Sequence, residues 1–161
     1  MSDALHLLGG KKFFTSLDLL SGFWQVPLSA DARPKTAFIT PFGLYHWKVM
    51  AMGLANAPAS FQRSMDVVLA GLKWTCCLIY IDDVLIYSSS WEEHLVHLRQ
   101  VFTRIALHQL YVKPDKCTVG FTTTTYLGHL VSEHGLKPLT KHLDAVRNFP
   151  LPQSKTHLKS F

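Results

Sequence analysis

Apolar residues at the start of the chain fall into short runs that are typical of β-strands. Strand patterns cover residues 13–19 and, after Ser21-Gly22, residues 23–28. The segment TAFITPFGLYHWKVM predicts two further strands around a turn at residues 41–43, which is the pattern of a β-hairpin. The first third of the chain is therefore predicted to be rich in strands.

Two later stretches carry the spacing of amphipathic helices. In NAPASFQRSMDVVLAGL, Asn56 can cap the helix, Pro58 suits its first turn and Gly71 ends it. In SWEEHLVHLRQVFTRIALHQL, Ser90 and Glu93 match the S-x-x-E capping box. The predicted buried faces consist of Phe61, Met65, Val68 and Leu69 in the first helix, and of Leu95, Leu98, Phe102 and Ile105 in the second.

The segment CCLIYIDDVLIYSSS lies between these helices and predicts another hairpin. The segments YVKPDKCTVGF and TTYLGHLVS predict strands around a Lys-Pro-Asp turn. The order of strands, helix, hairpin, helix and strands is typical of an α+β fold, in which an antiparallel sheet has its helices on one face. The other face of that sheet would be free to hold a ligand.

Composition and charge indicate what class of protein this is and what kind of partner it binds. The 161 residues are 48% hydrophobic and 17% charged, which suits a core-forming domain or a piece of a larger one. The formal net charge of +5 favours an anionic partner, most often nucleic acid. No secretory segment and no apolar run of membrane-spanning length is present, so we expect a soluble protein or part of a soluble polyprotein.

Cysteine and histidine residues provide no convincing metal site. Cys76, Cys77 and Cys117 form no C-x-x-C pair, so we expect reduced thiols in an intracellular protein. His94 and His97 are three residues apart on the second helix, but no third ligand is suitably spaced. We therefore predict that both histidines are solvated.

Adjacent carboxylates between the apolar strands of the second hairpin are the most unusual feature. Asp82 and Asp83 taken alone indicate a turn, but no glycine is present to relieve it. Asp18 stands at the end of another apolar strand, and strand ends in one sheet can bring all three together. Such carboxylates repel unless divalent cations neutralise them, and Mg²⁺ prefers hard oxygen ligands. Two ions roughly 3.5–4 Å apart could drive an in-line phosphoryl transfer.

Seven motifs in matching order make the chain similar to reverse transcriptases. YIDD at residues 80–83 matches the tyrosine-x-Asp-Asp box, FTSLDLLSGF resembles the first catalytic palm motif, and MGLANAPASFQRSM resembles the segment leading into the palm helix. KTAFIT, EEHLVHLRQVF, KPDKC and YLGHLVSEHGLKP also occur in the family's order. The chain resembles the polymerases of gypsy-type long-terminal-repeat retrotransposons over nearly its whole length.

This resemblance implies roles for the acidic residues and their neighbours. Asp18 and Asp82 would bind two Mg²⁺ ions, for which Mn²⁺ can substitute, and Asp83 would complete the acidic cluster. The backbone carbonyl of Leu19 would help to hold the nucleotide-bound metal. Phe23 would be the aromatic gate that excludes a ribonucleotide 2′-hydroxyl, with an ordinary core aromatic as the alternative.

Other positions would contact the nucleotide, the template and the primer. The nucleotide-binding residues would be Phe23, Met52, Gly53 and Lys116, with Lys116 near the pyrophosphate as a proton donor. The template- and primer-binding residues would be Asn56, Pro58, Tyr80, Tyr126, Leu127, Gly128 and His129. For residues 53–58 the alternative is ordinary turn and helix-start chemistry. For Lys116 it is a solvated lysine, and for residues 126–129 it is a plain buried strand.

The resemblance also implies a domain organisation and an activity. Residues 1–135 would form a polymerase palm with partial fingers, and residues 136–161 the truncated start of a thumb or connection segment. The activity would be RNA-directed DNA synthesis, in which dNTPs are added to a primer 3′-hydroxyl on an RNA or DNA template by two-metal nucleotidyl transfer. Such element polymerases work in cytoplasmic particles and their product enters the nucleus.

Two other functions remain open. A truncated, non-catalytic nucleic-acid-binding remnant of a retroelement polyprotein would also carry these motifs and the net charge of +5. A fold without any function beyond structure would explain the apolar stripes, but it would leave the acidic cluster unexplained. Both chain ends have the pattern of a truncated polyprotein, whose parent would also carry ribonuclease H.

Overall fold

Three antiparallel sheets and two α-helices make up the computed structural model, which describes residues 7–139. The strands are β1 (Phe13–Asp18), β2 (Phe38–Thr40), β3 (Gly43–Tyr45), β4 (Cys77–Tyr80), β5 (Asp83–Ser88), β6 (Thr118–Phe121), β7 (Thr123–Tyr126), β8 (His129–Ser132) and β9 (Gly135–Pro138). The helices are α1 (Ala57–Val68) and α2 (Trp91–Leu107). The sheets have the orders β4-β5-β1-β6, β2-β3 and β7-β8-β9, which agrees with the predicted antiparallel α+β class.

The central sheet divides the hydrophobic core because successive strand residues point to opposite faces. Leu17, Val84 and Ile86 lie on the face that is covered by both helices. Phe14 and Leu85 lie on the other face. That second face is partly covered by the β7-β8-β9 sheet, through the buried residues Tyr126 and Val131. The prediction that this face is free for a ligand is therefore wrong for the part under β7-β8-β9.

Helix α1 agrees closely with its predicted face. Phe61, Met65, Val68 and Leu69 are all buried, and Pro58 lies in the first turn as expected. The side chain of Asn56 makes no capping hydrogen bond, so the structure does not support its predicted capping role. The helix ends at Val68, and Gly71 follows with a φ of 81°.

Residues 23–28 do not form the predicted strand. Gly22–Gln25 form a 3₁₀ turn, and only the end of the segment is extended. Met50 N–H donates to the Val26 carbonyl, and Leu28 N–H donates to the Lys48 carbonyl. The turn breaks the apolar run because Gln25 hydrogen-bonds the backbone of Leu20 and Tyr111. The chain is thereby folded back beneath α1 immediately after β1.

Helix α2 is rotated by about one residue from the predicted orientation. His94, Leu98, Val101 and Ile105 are the buried residues, whereas the predicted core residues Leu95 and Phe102 are partly exposed. The prediction that His94 is solvated is also wrong, since its side chain is 0% exposed. His97 is half-buried and lies against Ser88, so it is not a freely solvated residue either.

A buried hydrogen-bond network causes this rotation. His94 Nε2 lies 2.8 Å from Thr15 Oγ1, and His94 Nδ1 lies 2.9 Å from Ser88 Oγ. Thr15 Oγ1 also accepts from the Gly120 N–H at 3.0 Å. The network joins α2 to β1, β5 and β6. Pairing these buried polar groups stabilises the fold more than burying the side chains of Leu95 and Phe102 would.

The start of α2 has half of the predicted capping box. Ser90 Oγ accepts from the Glu93 N–H at 3.2 Å, as expected. The Glu93 carboxylate accepts from the Ser89 N–H at 2.7 Å, one residue before the position that the motif predicts. The carboxylate still satisfies a free donor at the helix start, so the cap keeps its stabilising effect.

We expect the buried His94 to make the fold sensitive to acid. Burial, and then the nearby His97, lower the pKa of His94 below the ordinary value of about 6.5, while Glu93 opposes the shift. As the pH falls through 6.5, the unfolded chain binds this proton before the folded chain does. The free energy of unfolding should therefore decrease, by at most about 1.4 kcal/mol per pH unit for this one group.

Urea titrations between pH 7.5 and pH 5 would measure this slope. The His94→Asn variant should lose part of the slope, and the His46→Asn variant, which changes an exposed histidine, should keep it. An unchanged slope in His94→Asn would show that other groups cause the acid sensitivity.

The predicted early hairpin is present, and the predicted late strand is in fact a hairpin. Strands β2 and β3 pair with Phe38 opposite Tyr45, and Pro41-Phe42 connect them. The TTYLGHLVS segment forms the β7–β8 hairpin, which turns at Leu127-Gly128. Residues 140–161, which include most of the predicted thumb or connection segment, lie outside the described residues. Strand β9 spans the proposed boundary at residue 135.

Helices and cysteines add two further facts about residues 7–139. None of the helices there is both long enough and apolar enough to cross a membrane. The three cysteines are free thiols, of which Cys76 and Cys77 are buried.

Candidate active site

The aspartates of the first and second acidic motifs lie at the same end of the central sheet. Strands β1 and β5 pair so that Asp18 lies directly opposite Asp83. The Leu19 N–H donates to the Asp82 carbonyl at 3.2 Å, and the Lys113 N–H donates to the Asp18 carbonyl at 2.8 Å. Backbone pairing on both sides of β1 therefore determines where the three aspartates lie.

Asp82 is the second residue of a two-residue turn between β4 and β5. Tyr80 and Asp83 form the closing pair, and Ile81 has a φ of 55°. A positive φ at only the first loop residue is the pattern of a type II′ turn, which glycine normally favours. A β-branched residue in this conformation is strained, by about 1–3 kcal/mol. The missing glycine noted in the sequence is thus replaced by a strained isoleucine.

Two neighbouring elements hold this strained turn. Gln62 on α1 accepts the Ile81 N–H with its Oε1 atom at 2.7 Å. A Cβ atom on Gly22 would lie 3.2 Å from the Asp82 Cβ and 2.9 Å from the Phe61 Cζ, so only glycine fits closely there. The turn therefore rests on α1 and on the 3₁₀ turn that follows β1.

The electrostatics agree with a shared acidic site. Burial, and then the negative charges of Asp82 and Asp18, raise the pKa of the Asp83 carboxyl, while Lys116 opposes the shift. The Lys116 ammonium forms an ion pair with the Asp18 carboxylate, with Nζ and Oδ2 3.1 Å apart. The predicted nucleotide-binding lysine is thus in direct contact with a predicted catalytic aspartate.

The donor set fits Mg²⁺ if substrate supplies the remaining ligands. Within residues 7–139, no three Asp, Glu, His or Cys side chains are grouped closely enough to hold a metal ion alone. Mg²⁺ does not need such a cage, because proteins usually bind it through one or two carboxylates together with waters and substrate phosphates. Asp18 and Asp82, with the Leu19 carbonyl, are oxygen donors of this kind.

Phe23 packs beside the turn that carries the aspartates. Its ring meets the Phe61 ring edge-on at a centroid distance of 5.3 Å, and it is partly buried against the main core. Gly22 beside it fits between Phe61 and Asp82. This position agrees with both interpretations of Phe23, since one ring face can pack in the core while the remaining surface borders the site.

Four predicted contact residues lie on the connection into α1 or in its first turn. Met52 is 65% exposed, Gly53 has a φ of 86°, and Asn56 and Pro58 are exposed where α1 begins. Within the described part of the chain, no side-chain hydrogen bond or ion pair joins these residues to the aspartates. Their roles toward nucleotide and template therefore stay predictions, and the simpler turn and helix-start chemistry accounts for their conformations.

Residues 126–129 form a turn beside the acidic site. Leu127 and Gly128 have φ values of 48° and 78°, which is typical of a type I′ hairpin. His129 Nδ1 lies 3.0 Å from the Leu127 carbonyl oxygen. Burial, and then the negative charge of Asp83, raise the pKa of the buried Tyr126 hydroxyl. The hairpin replaces the alternative of a plain buried strand, and its primer-binding role remains a prediction.

Two positioning residues had no clear signal in the sequence. Gln62 stands next to the buried Phe61, where a polar residue would ordinarily be assigned to solvent. Gly22 follows Ser21 in what the pattern predicts as a simple break between strands. Their contacts come from elements far apart in the chain, so local patterns could not identify them.

Comparison with known proteins agrees with this geometry. The family model for "Reverse transcriptase (RNA-dependent DNA polymerase)" matches residues 2–131. The chain is 38% identical over 161 residues to the retrovirus-related Pol polyprotein from transposon 297 of Drosophila melanogaster, covering 100% of this chain and 15% of that protein. It is 37% identical over 148 residues to the enzymatic polyprotein of cauliflower mosaic virus (strain D/H), covering 92% of this chain and 22% of that protein.

Solved structures show the same fold. The foamy viral protease-reverse transcriptase dRH in complex with double-stranded DNA matches with a TM-score of 0.83 and 25% identity, over 93% of this chain and 26% of that chain. The foamy viral protease-reverse transcriptase with an RNA/DNA hybrid matches with a TM-score of 0.77 and 27% identity, over 92% of this chain and 20% of that chain. The predicted α+β polymerase palm is thereby confirmed, and the chain spans about a quarter or less of each of these proteins. This chain belongs to the reverse transcriptase family.

Proposed function

We propose that this chain is the catalytic palm segment of an RNA-directed DNA polymerase encoded by a gypsy-type long-terminal-repeat retrotransposon. The observation that supports it most directly is the pairing of Asp18 with Asp83 at the ends of β1 and β5, where the charges of Asp18 and Asp82 act on the Asp83 carboxyl. A reverse transcriptase chain with decayed metal ligands would lack this constellation. The similarity to the Drosophila transposon 297 polyprotein supports the retrotransposon origin.

The proposed reaction adds dNTPs to a primer 3′-hydroxyl, with pyrophosphate as the leaving group. Asp18 and Asp82, together with the Leu19 carbonyl, would hold two Mg²⁺ ions, and Mn²⁺ would fit the same oxygen donors. When bound, these ions supply neutralisation of the developing phosphate charge and activation of the attacking hydroxyl. Asp83 would add negative charge that draws cations to the two ligands.

The remaining residues of the site would bind and orient the substrates. The Lys116 ammonium, already beside Asp18, would protonate the departing pyrophosphate. Phe23, supported from behind by Phe61, would border the sugar of the incoming nucleotide. Met52, Gly53, Asn56 and Pro58 would lie under the nucleotide and the template base. Tyr80 and the turn at residues 126–129 would contact the primer end.

Nucleic acid is the proposed partner of this site. The similar foamy viral structures contain double-stranded DNA or an RNA/DNA hybrid, which supports a primer–template duplex as the ligand of this chain. The formal charge of +5 favours the same kind of partner. We further propose that the parent polyprotein carries ribonuclease H and acts in cytoplasmic particles, with its DNA product bound for the nucleus.

Primer extension on an RNA template tests the proposal. The 161-residue chain and a longer chain that includes flanking polymerase segments of a relative would be compared with Mg²⁺ present. We expect DNA synthesis by the longer chain at least. If the longer chain is inert, the polymerase proposal fails.

A salt titration tests the alternative of a binding remnant. Both chains should bind a primer–template duplex with an affinity that falls steeply with salt, because phosphate contacts release counterions. Binding without any synthesis by the longer chain would favour the remnant. An affinity that does not change with salt would count against nucleic acid as the partner.

A further inference from the structure

A chain of polar side chains connects the protein surface to the turn that carries Asp82. Lys73 Nζ donates to Asp66 Oδ1 at 2.6 Å, and Gln62 Nε2 donates to the same oxygen at 3.0 Å. Gln62 Oε1 then accepts the Ile81 N–H at 2.7 Å. Gln62 and Asp66 lie on α1, and Lys73 follows that helix.

The chemistry of these groups allows only one orientation of the Gln62 amide. An ionised Asp66 carboxylate only accepts hydrogen bonds, so it must face the amide NH₂ group. The Ile81 N–H only donates, so it must face the amide oxygen. A flipped amide would bring acceptor against acceptor and donor against donor. Asp66 therefore determines which atom of Gln62 faces the turn.

Asp66 is suited to remain ionised in this position. Burial acts to raise the pKa of its carboxyl, but the hydrogen bonds from Lys73 and Gln62 and the charge of Lys73 outweigh burial and lower that pKa. Lys73 Nζ also lies 5.4 Å from the centre of the Trp74 ring, which helps to hold the ammonium in place. Lys73 thus helps to fix the position of the Asp66 carboxylate.

The turn needs such support because its backbone is strained. Ile81 has a φ of 55°, a conformation that a β-branched residue adopts only where its surroundings impose it. Its N–H would otherwise lack a partner in the two-residue loop. A hydrogen bond from outside the hairpin stabilises this conformation relative to others that would move Asp82.

We propose that Gln62, oriented by Asp66 and Lys73, is a positioning residue that holds the Ile81–Asp82 turn in the geometry required for cation binding. This inference deepens the proposed function and rests on it for the purpose of the turn, but the hydrogen-bond relay itself does not. Asp66 and Lys73 would act on the site only through Gln62.

Amide hydrogen exchange in the 161-residue chain, labelled with ¹⁵N-isoleucine, tests the relay directly. In Gln62→Met, which keeps the side-chain volume but loses the acceptor, exchange at the Ile81 amide should accelerate by roughly tenfold, as expected for loss of one hydrogen bond. Exchange at Ile79 and Ile86 in the flanking strands should stay unchanged. The Asp66→Asn variant should act in the same direction more weakly, because asparagine can face either end of the amide.

Titration with Mn²⁺, followed by paramagnetic broadening of the Ile81 signal, measures the effect on the site. Gln62→Met should require a severalfold higher Mn²⁺ concentration for half-maximal broadening. The double variant Gln62→Glu/Asp66→Asn should recover much of the protection, because a carboxylate at position 62 accepts from both the Ile81 N–H and an asparagine amide. Gln100→Ala, which changes an exposed glutamine on α2, should behave like the unaltered chain.

The possible outcomes separate this inference from the polymerase proposal. Unchanged exchange at Ile81 in Gln62→Met overturns the relay, whatever the chain catalyses. Faster exchange at Ile81 with unchanged Mn²⁺ binding overturns the positioning role. If Gln62→Met changes both exchange and Mn²⁺ binding, but the longer, unaltered chain shows no primer extension, the relay is supported and the polymerase proposal is rejected.

Discussion

Replacing Asp82 by asparagine should lower the rate of primer extension by roughly a hundredfold to a thousandfold, the size of effect that removal of one group stabilising the transition-state charge usually has. Asparagine keeps the shape of the side chain and suits a turn, so the β4–β5 hairpin should still form. The loss would come from the missing negative charge, since a neutral amide is a poor ligand for Mg²⁺. The assay is Mg²⁺-dependent extension on an RNA template by the longer chain.

Asp31→Asn provides the matched control, because Asp31 is an exposed aspartate in the connection between β1 and β2. It should extend primers at the unaltered rate, and both variants should have the same thermal melting temperature within a few degrees. If Asp82→Asn remained fully active, Asp82 could not be a metal ligand in the reaction. The proposed two-metal mechanism would then have to be abandoned.

Replacing Phe61 by alanine should destabilise the fold by about 3–5 kcal/mol, as removal of a fully buried aromatic ring usually does. Phe61 is 0% exposed, and its ring contacts Phe23 and would meet any side chain at position 22. Because a domain of this kind has a free energy of unfolding of only about 5–15 kcal/mol, much of its stability would be lost. Urea denaturation of the 161-residue chain measures the loss.

Phe42→Ala is the control of identical chemistry at an exposed position, since Phe42 is 90% exposed in the β2–β3 connection. Its free energy of unfolding should change by less than about 0.5 kcal/mol, as is usual for surface substitutions. A similar loss in both variants would mean that Phe61 does not support the core as the structure indicates. A loss of stability in Phe61→Ala alone is the expected result. The same substitution also removes the ring against which Phe23 packs beside the site.

Features that depend on local order along the chain could be predicted from the sequence. The β1 strand, the early hairpin and the buried face of α1 agree with their patterns because neighbouring residues determine them. The family motifs identified Asp18, Asp82 and Asp83, and the β1–β5 register puts Asp18 opposite Asp83. Their roles in binding metal remain predictions.

Features that depend on contacts between distant elements could not be predicted. The spacing of α2 allows two overlapping faces, and hydrophobicity alone selects Leu95 and Phe102. The structure selects His94 and Val101 because Thr15 and Ser88 supply partners for the imidazole. The 3₁₀ turn at Gly22–Gln25 likewise depends on the contacts of Gln25 with Tyr111. Gln62 acquires its role only when α1 lies beside the Ile81 turn.

The β1–β5 pairing has a consequence for how this protein folds. Asp18 and Asp83 face each other across strands that are separated in sequence by the β2–β3 hairpin, α1 and β4. Closing so large a loop costs conformational entropy, so Asp18 and Asp83 come together only when β1 and β5 pair. A cation that binds this end of the sheet should therefore bind the native state more tightly than the unfolded chain. By mass action it then shifts the folding equilibrium toward that state, so the ligands of the reaction and the stability of the fold are thermodynamically linked.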